Sequence, residues 1–274
     1  MIFVGSRFLP GAVDASSPCP RVDSKSLASV VLRPPAVRGM RRGMTETASD
    51  QTALVGNIKV TRWDWINQAL ETLLSNGVES VRILPLGQKL CVSRSSFYWY
   101  FRDRQDLLDQ LLEYWRNMNT KAIVERANRP SDTIVQGLFN VFECWADERI
   151  FDPRLDFAIR EWARRSEDVR RVIDLADADR VNAIRDLYIR HGYEPVDAFI
   201  RARVLYFMQI GYYVLDVKEP LETRLSYSAG YLRSFTGLEP SRDDIARFHD
   251  FAGRAARRNS EGKAKVTSAA RAVE

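Results

Sequence analysis

At 274 residues, with 45% hydrophobic and 11% aromatic side chains, the chain is long enough for one or two domains around sizeable cores. Two histidines and three widely spaced cysteines (Cys19, Cys91, Cys144) imply no disulfide framework, no metal site and no histidine-centred nucleophile, and no apolar run nears the roughly 20 residues of a membrane span. The net charge of +5, from 41 basic and 36 acidic residues, divides as +5 over 1–43, −2 over 44–56, +3 over 57–105, −5 over 106–250 and +4 over 251–274, so a basic head and basic tails flank an acidic body.

Residues 1–56 hold Pro10, Pro18, Pro20, Pro34 and Pro35 without a sustained apolar period and read as a disordered extension. A secretory signal is the rival reading, but Arg7 and Pro10 interrupt its apolar start; Met40 and Met44 offer alternative translation starts, and Arg38, Arg41 and Arg42 could form a phosphate-binding arm. From Val60 the spacing turns helical. Trp65, Ile66, Ala69, Leu70, Leu73 and Leu74 predict a first helix that stops at Asn76-Gly77. A short second helix covers Ile83 to Leu90, with Pro85 tolerated in its first turn and Gly87 small enough for a neighbour to approach. Cys91-Val92-Ser93 makes a turn, and Ser93 is expected to cap a third helix from Arg94 to about Trp99.

Asp103 caps the next helix, whose stripe of Leu107, Leu108, Leu111, Leu112 and Trp115 links head to body. Further helices are predicted over Asp132 to Ala146, from Asp152-Pro153 through Trp162, and from Ser166 to His191-Gly192. Pro195 to Val217 is apolar nearly all round, so it must be covered on more than one side. A last core helix follows Pro220 and ends at Gly237, and the Arg-, Ala-, Ser- and Lys-rich tail beyond Asp250 reads as flexible. No strand pattern and no internal repeat is present.

Three helices at this spacing form a helix-turn-helix, in which the start of the recognition helix meets base edges. Thr61 to Leu108 resembles the N-terminal domain of the tetracycline-repressor (TetR) family of bacterial transcription regulators. The resemblance rests on Arg62, the Trp65-Ile66 to Leu73 helix, Gly77, Leu86 to Leu90, Val92-Ser93, the Phe97-Tyr98-Trp99-Tyr100-Phe101 block and Arg104-Gln105-Asp106-Leu107. Arg82, Gly87, Cys91 and Tyr100 depart from the family's usual Thr or Ser, Ala, Gly and His. A side chain at Cys91 costs on the order of 1 kcal/mol if its φ is positive; a redox role for its thiol is the alternative to a tolerated substitution.

The resemblance implies an all-α fold with a disordered extension (1–56), a helix-turn-helix DNA-binding domain (57–103), a helical effector-binding and dimerisation domain (104–250) and a flexible basic tail (251–274). It implies base reading by Arg94 and Ser95, with Ser93 and Ser96 beside them and Trp99 near a groove wall. Thr61, Arg82, Lys89, Tyr98, Tyr100 and Arg104 would touch the sugar-phosphate backbone, while Phe97 and Phe101 pack the small domain. In the body, Trp115, Phe142, Trp145, Trp162, Tyr188, Met208 and Tyr212 could line a pocket for an apolar or aromatic effector, the alternative being plain core. The two C-terminal core helices would pair with those of a second copy through Leu205, Tyr212, Tyr213, Leu225 and Leu232. The function implied is a cytoplasmic, ligand-responsive repressor that binds a near-palindromic double-stranded operator as a homodimer, without cofactor, metal or membrane partner. A constitutive DNA-binding regulator is the alternative; a helical small-molecule enzyme is the weaker rival, for the chain offers no matched acid, base and nucleophile.

Overall fold

The computed structural model describes residues 60–271, with side chains through residue 261. The expected N-terminal extension of residues 1–56 lies outside the described residues. All regular structure among the described residues is helical.

Helix α1 (Arg62–Asn76) starts at a capping box: the Thr61 hydroxyl accepts the Asp64 amide at 3.3 Å while the Asp64 carboxylate accepts the Thr61 amide at 2.7 Å. A 3₁₀ turn (Val78–Ser80) leads to α2 (Ile83–Lys89) and α3 (Arg94–Phe97). Helix α4 (Arg104–Trp115) is capped by Asp103, whose carboxylate accepts the Asp106 amide at 2.9 Å, as the sequence leads one to expect. It runs through a π-helical segment (Arg116–Thr120) into α5 (Lys121–Ala127), with α-helical dihedrals at both joints. The wide turn directs Asn119 and Thr120 inward, where Asn119 exchanges hydrogen bonds of 2.8 and 3.1 Å with the backbone of Asp152.

The body continues with α6 (Ile134–Ala146), α7 (Pro153–Ala163), α8 (Glu167–Arg190), α9 (Pro195–Val214), α10 (Leu221–Ser226), α11 (Ser228–Thr236) and α12 (Arg242–Arg271). Side-chain caps by Thr133, Asp152 and Ser166 start α6, α7 and α8, with Pro153 at N1 of α7. Two expectations need correction. The single helix predicted after Pro220 is interrupted at Tyr227, where the Ser228 hydroxyl donates to the Leu225 carbonyl at 2.7 Å and competes with the helical ladder. The tail expected to be flexible from residue 251 belongs to α12. Phe248, Ala252 and Ala255 are buried, the Phe248 ring stacks on Phe139 at 4.4 Å, and the Asn259 amide donates to the Ala146 carbonyl at 3.1 Å, capping the end of α6.

Two apolar cores result. One gathers Trp65, Leu86, Phe97, Phe101 and the inner face of α4, and extends to Leu155, Ile159 and Trp162 of α7 and Val169, Ile173 and Ala176 of α8. The other joins α5, α6, the later turns of α8, α9, α11 and α12. Helix α8, about 36 Å long at 1.5 Å per residue, thus serves one core with its first half and the other with its second.

Between the cores lies a buried charge cluster. Asp156 accepts the Trp115 indole N–H at 2.8 Å and Arg160 Nε at 2.9 Å, and pairs with Arg180 Nη2 at 3.0 Å. Arg160 forks onto Asp177 at 2.7 and 2.9 Å; the Tyr206 hydroxyl donates to Asp177 at 2.6 Å and accepts from Arg180 at 2.9 Å. Arg180, 0% exposed, also donates to Thr120 at 3.1 Å and lies over the Trp115 ring. Burial opposes ionisation of Asp156, but Arg180 and Arg160 outweigh it and hold the carboxyl down at about 2. Helices α4, α7, α8 and α9 and the π segment are bound together by this one cluster.

Candidate nucleic-acid interface

The N-terminal three-helix unit is built around aromatic packing. Trp65 of α1 meets Phe97 edge-on at 5.2 Å, and Phe97 stacks on Phe101 at 5.1 Å. A Cβ at Gly87 would stand 3.2 Å from the Val92 carbonyl oxygen and 3.4 Å from the Trp65 ring, so the absence of a side chain lets α2, α1 and the turn close on each other. The turn carries Cys91 at φ 55, in the left-handed region that the sequence reading anticipated there. Cys91 is disulfide-bonded, whereas Cys144 is a free, buried thiol that burial pushes up to about 12.

With Phe97 and Phe101 held inward, the residues between them point out. Trp99 is 84% exposed and Tyr98 48% exposed, and Ser93, Arg94 and Ser95 share that open face while Ser96 is half-buried. Arg94 donates to the Tyr98 hydroxyl at 2.9 Å and lies over its ring, so the two form one i, i+4 unit. Helix α3 is shorter than expected, ending at Phe97, with Tyr98 to Tyr100 continuing as turns. Ser93 has the extended backbone of an N-cap, but its hydroxyl shares a 2.8 Å hydrogen bond with the Ser95 hydroxyl instead of capping α3.

Several residues expected on the sugar-phosphate backbone are engaged inside the fold. Arg104 donates to the carbonyls of Val81 at 2.6 Å and Val78 at 2.8 Å, clamping the start of α4 to the 3₁₀ turn. The Tyr100 hydroxyl donates to the Val60 carbonyl at 2.9 Å. The Thr61 hydroxyl donates to Asp64 at 2.7 Å within the capping box. Arg82 donates to the Glu79 carbonyl at 2.8 Å and Lys89 to the Thr72 hydroxyl at 3.3 Å, but both remain exposed. One exposed cation near the end of this unit was not singled out from sequence, Arg102, 3.6 Å from Asp106; Arg62, which the resemblance included without a contact role, is also exposed and lies over the Phe101 ring. The signal for Arg102 was its place directly before the Asp103 cap.

The expected pocket residues do not converge. Trp115 belongs to the charge cluster; Phe142, Trp145 and Tyr188 are packed in the body core, with Phe142 against Trp145, Phe235 and Phe248; Met208 is half-buried beside them. Only Trp162 and Tyr212 of that set line a cavity, of about 530 Å³, which lies between the end of α1, α7 and the end of α9.

The expected interface residues also divide. Leu205 and Leu232 are buried within their own chain, Leu225 is half-buried, Tyr213 stacks on Phe151 at 5.9 Å, and the Tyr212 hydroxyl donates to Glu219. The open face of α9 instead presents Val196, Phe199, Ile200, Val204, Phe207 and Val214, spaced three, one, four, three and seven residues apart. An all-round apolar helix gives no periodic clue to which face is inward.

No family model matches the chain, and no curated protein matches it. Among solved structures, the chain is similar to one described as "putative TetR-family transcriptional regulator from Rhodococcus sp.", at 16% identity and a TM-score of 0.49, over 64% of this chain and 98% of that one.

Proposed function

We propose that the chain is a DNA-binding transcriptional regulator of the TetR type that acts as a homodimer. The observation that carries this reading is the open face of the three-helix unit: Arg94 and Ser95 on the short helix, and Tyr98 and Trp99 in the turns after it, stand exposed above Phe97 and Phe101, which are locked into the core. A short helix anchored from below and polar at its N-terminal end is suited to enter a major groove, with Arg94 able to fork onto guanine. Lys89, Arg82, Arg62 and Arg102 would supply backbone contacts. The exposed apolar stripe of α9 supports pairing with a second copy, because a contiguous apolar face of this kind calls for cover. Two recognition units on one dimer then read a near-palindromic site.

Fluorescence anisotropy with the DNA flanking the chain's own gene tests the reading. Binding that weakens with salt, and a loss of about 1–3 kcal/mol with relaxed sequence preference in Arg94→Ala, are expected. Absence of binding by the folded dimer at low salt would sink it. The dense packing of Phe142, Trp145 and Tyr188 favours a second reading in which no effector is bound. Ligand-induced thermal shifts separate that regulator from a ligand-responsive one.

A further inference from the structure

The cavity at the end of α9 has walls from both parts of the molecule. Leu73, Leu74 and Val78 come from the N-terminal unit; Phe157, Ala158 and Trp162 from α7; and Tyr212, Val214 and Val217 from the end of α9 and the residues after it. At about 530 Å³ it falls in the ordinary size range of small-molecule sites. Phe157, 44% exposed, is a large apolar side chain left uncovered on this wall.

Four charged side chains line it as well, and three of them are answered. Arg154 pairs with Asp152 at 3.4 Å, Glu161 with Arg164 at 3.1 Å, and Asp216 with Lys218 at 2.8 Å. Arg165 makes no ion pair among the described residues, and only its backbone is engaged, donating to the Trp162 carbonyl at 3.0 Å. From these walls and this one unanswered guanidinium we infer that the cavity binds an apolar monocarboxylate, its ring or chain between Phe157, Trp162 and Leu74 and its carboxylate on Arg165. Arginine matches a carboxylate with two parallel N–H donors, which gives a charged head group both strength and orientation. Because one wall is the end of α1 and the other is α7 and α9, an occupant couples to the angle between the N-terminal unit and the body. That coupling rests on the DNA-binding reading; the binding site itself does not.

The full chain is titrated with 2-naphthoate, 4-phenylbutyrate and octanoate, each beside its matched alcohol, by thermal shift and tryptophan fluorescence. Expected are a saturable rise in Tm with at least one carboxylate, affinity for its alcohol on the order of tenfold weaker, loss of that difference in Arg165→Gln, and loss of binding in Ala158→Phe, which fills the cavity. No stabilisation by any carboxylate, or unchanged carboxylate preference in Arg165→Gln, overturns the site. Arg165 is exposed, so that variant remains decisive even if Ala158→Phe does not fold. In a second arm, the bound carboxylate and DNA should weaken each other by the same factor. A chain that binds carboxylate but never DNA refutes the regulator reading and leaves the site standing; DNA binding indifferent to the carboxylate refutes the coupling.

Discussion

Arg94 and Arg104 sit ten residues apart in one basic stretch, yet their surroundings give them opposite duties. Arg94 is tied only to Tyr98, on an open face, and can exchange that contact for a base or a phosphate. Arg104 donates to two backbone carbonyls, that of Val81 and that of Val78, which also accepts the Val81 amide at 3.1 Å. Replacing Arg104 with Ala is expected to destabilise the protein by about 1.5–3 kcal/mol, the usual worth of hydrogen bonds to a charged donor, with the Val81 carbonyl left unmet. Lysine should rescue little, for one ammonium cannot span two carbonyls as a fork does. Urea unfolding measures the loss. DNA titrations at several salt concentrations then separate the two duties: a phosphate contact would flatten the salt slope by about one, whereas a structural clamp leaves the slope unchanged. The sequence marked both residues as basic neighbours of an aromatic block; it contained no sign that a 3₁₀ turn 23 to 26 residues upstream would turn its carbonyls toward Arg104.

At the scale of elements, the buried cluster around Asp156 decides how α4, α7, α8 and α9 stay in register. The carboxyl is held at about 2, below the ordinary value near 3.9 of an unfolded chain, so its ionised form stabilises the fold at every pH above about 4. That contribution, on the order of 2 kcal/mol, is lost as pH falls through the folded value, giving an acid limb between about pH 4 and 2. Asp156→Asn should cost about 3–5 kcal/mol at neutral pH, because it leaves Arg180 buried without its full counter-charge, and should flatten that acid limb. Chemical denaturation across pH checks both, and a variant with wild-type stability at pH 7 would contradict the assignment. Helices α4, α7 and α8 were readable from their caps at Asp103, Asp152-Pro153 and Ser166, and α1 from its apolar spacing, its Thr61 cap having gone unread. The π segment was not, since Asn119 and Thr120 are committed by partners 33 and 60 residues away. Helix α12 was overlooked for another reason. Ile245, Phe248, Ala252 and Ala255 keep helical spacing, but the surrounding arginines and serines resemble the composition of a loose tail.

For the molecule as a whole, the open stripe of α9 is the face on which the proposed pairing with a second copy would form. Phe207→Glu places a charge in the middle of that stripe and should turn a dimer into a folded monomer, read by light scattering with unchanged helical circular dichroism. Leu205→Glu, two residues earlier, should instead unfold the chain, since Leu205 faces its own core. Monomeric Phe207→Glu should also bind DNA with roughly half the salt slope of the dimer, having half the phosphate contacts. The division of α8 between two cores bears on a different question, that of portability. A hybrid regulator made by cutting at residue 103 and grafting the recognition unit onto a foreign body would carry Trp65, Leu73 and Phe97 without Leu155, Ile159, Trp162 and Ile173, the other half of their core. The smallest piece that takes its whole interior with it runs through Ala176, and so the three-helix unit of this chain, with whatever recognition it carries, can be transplanted only together with the beginning of its own body.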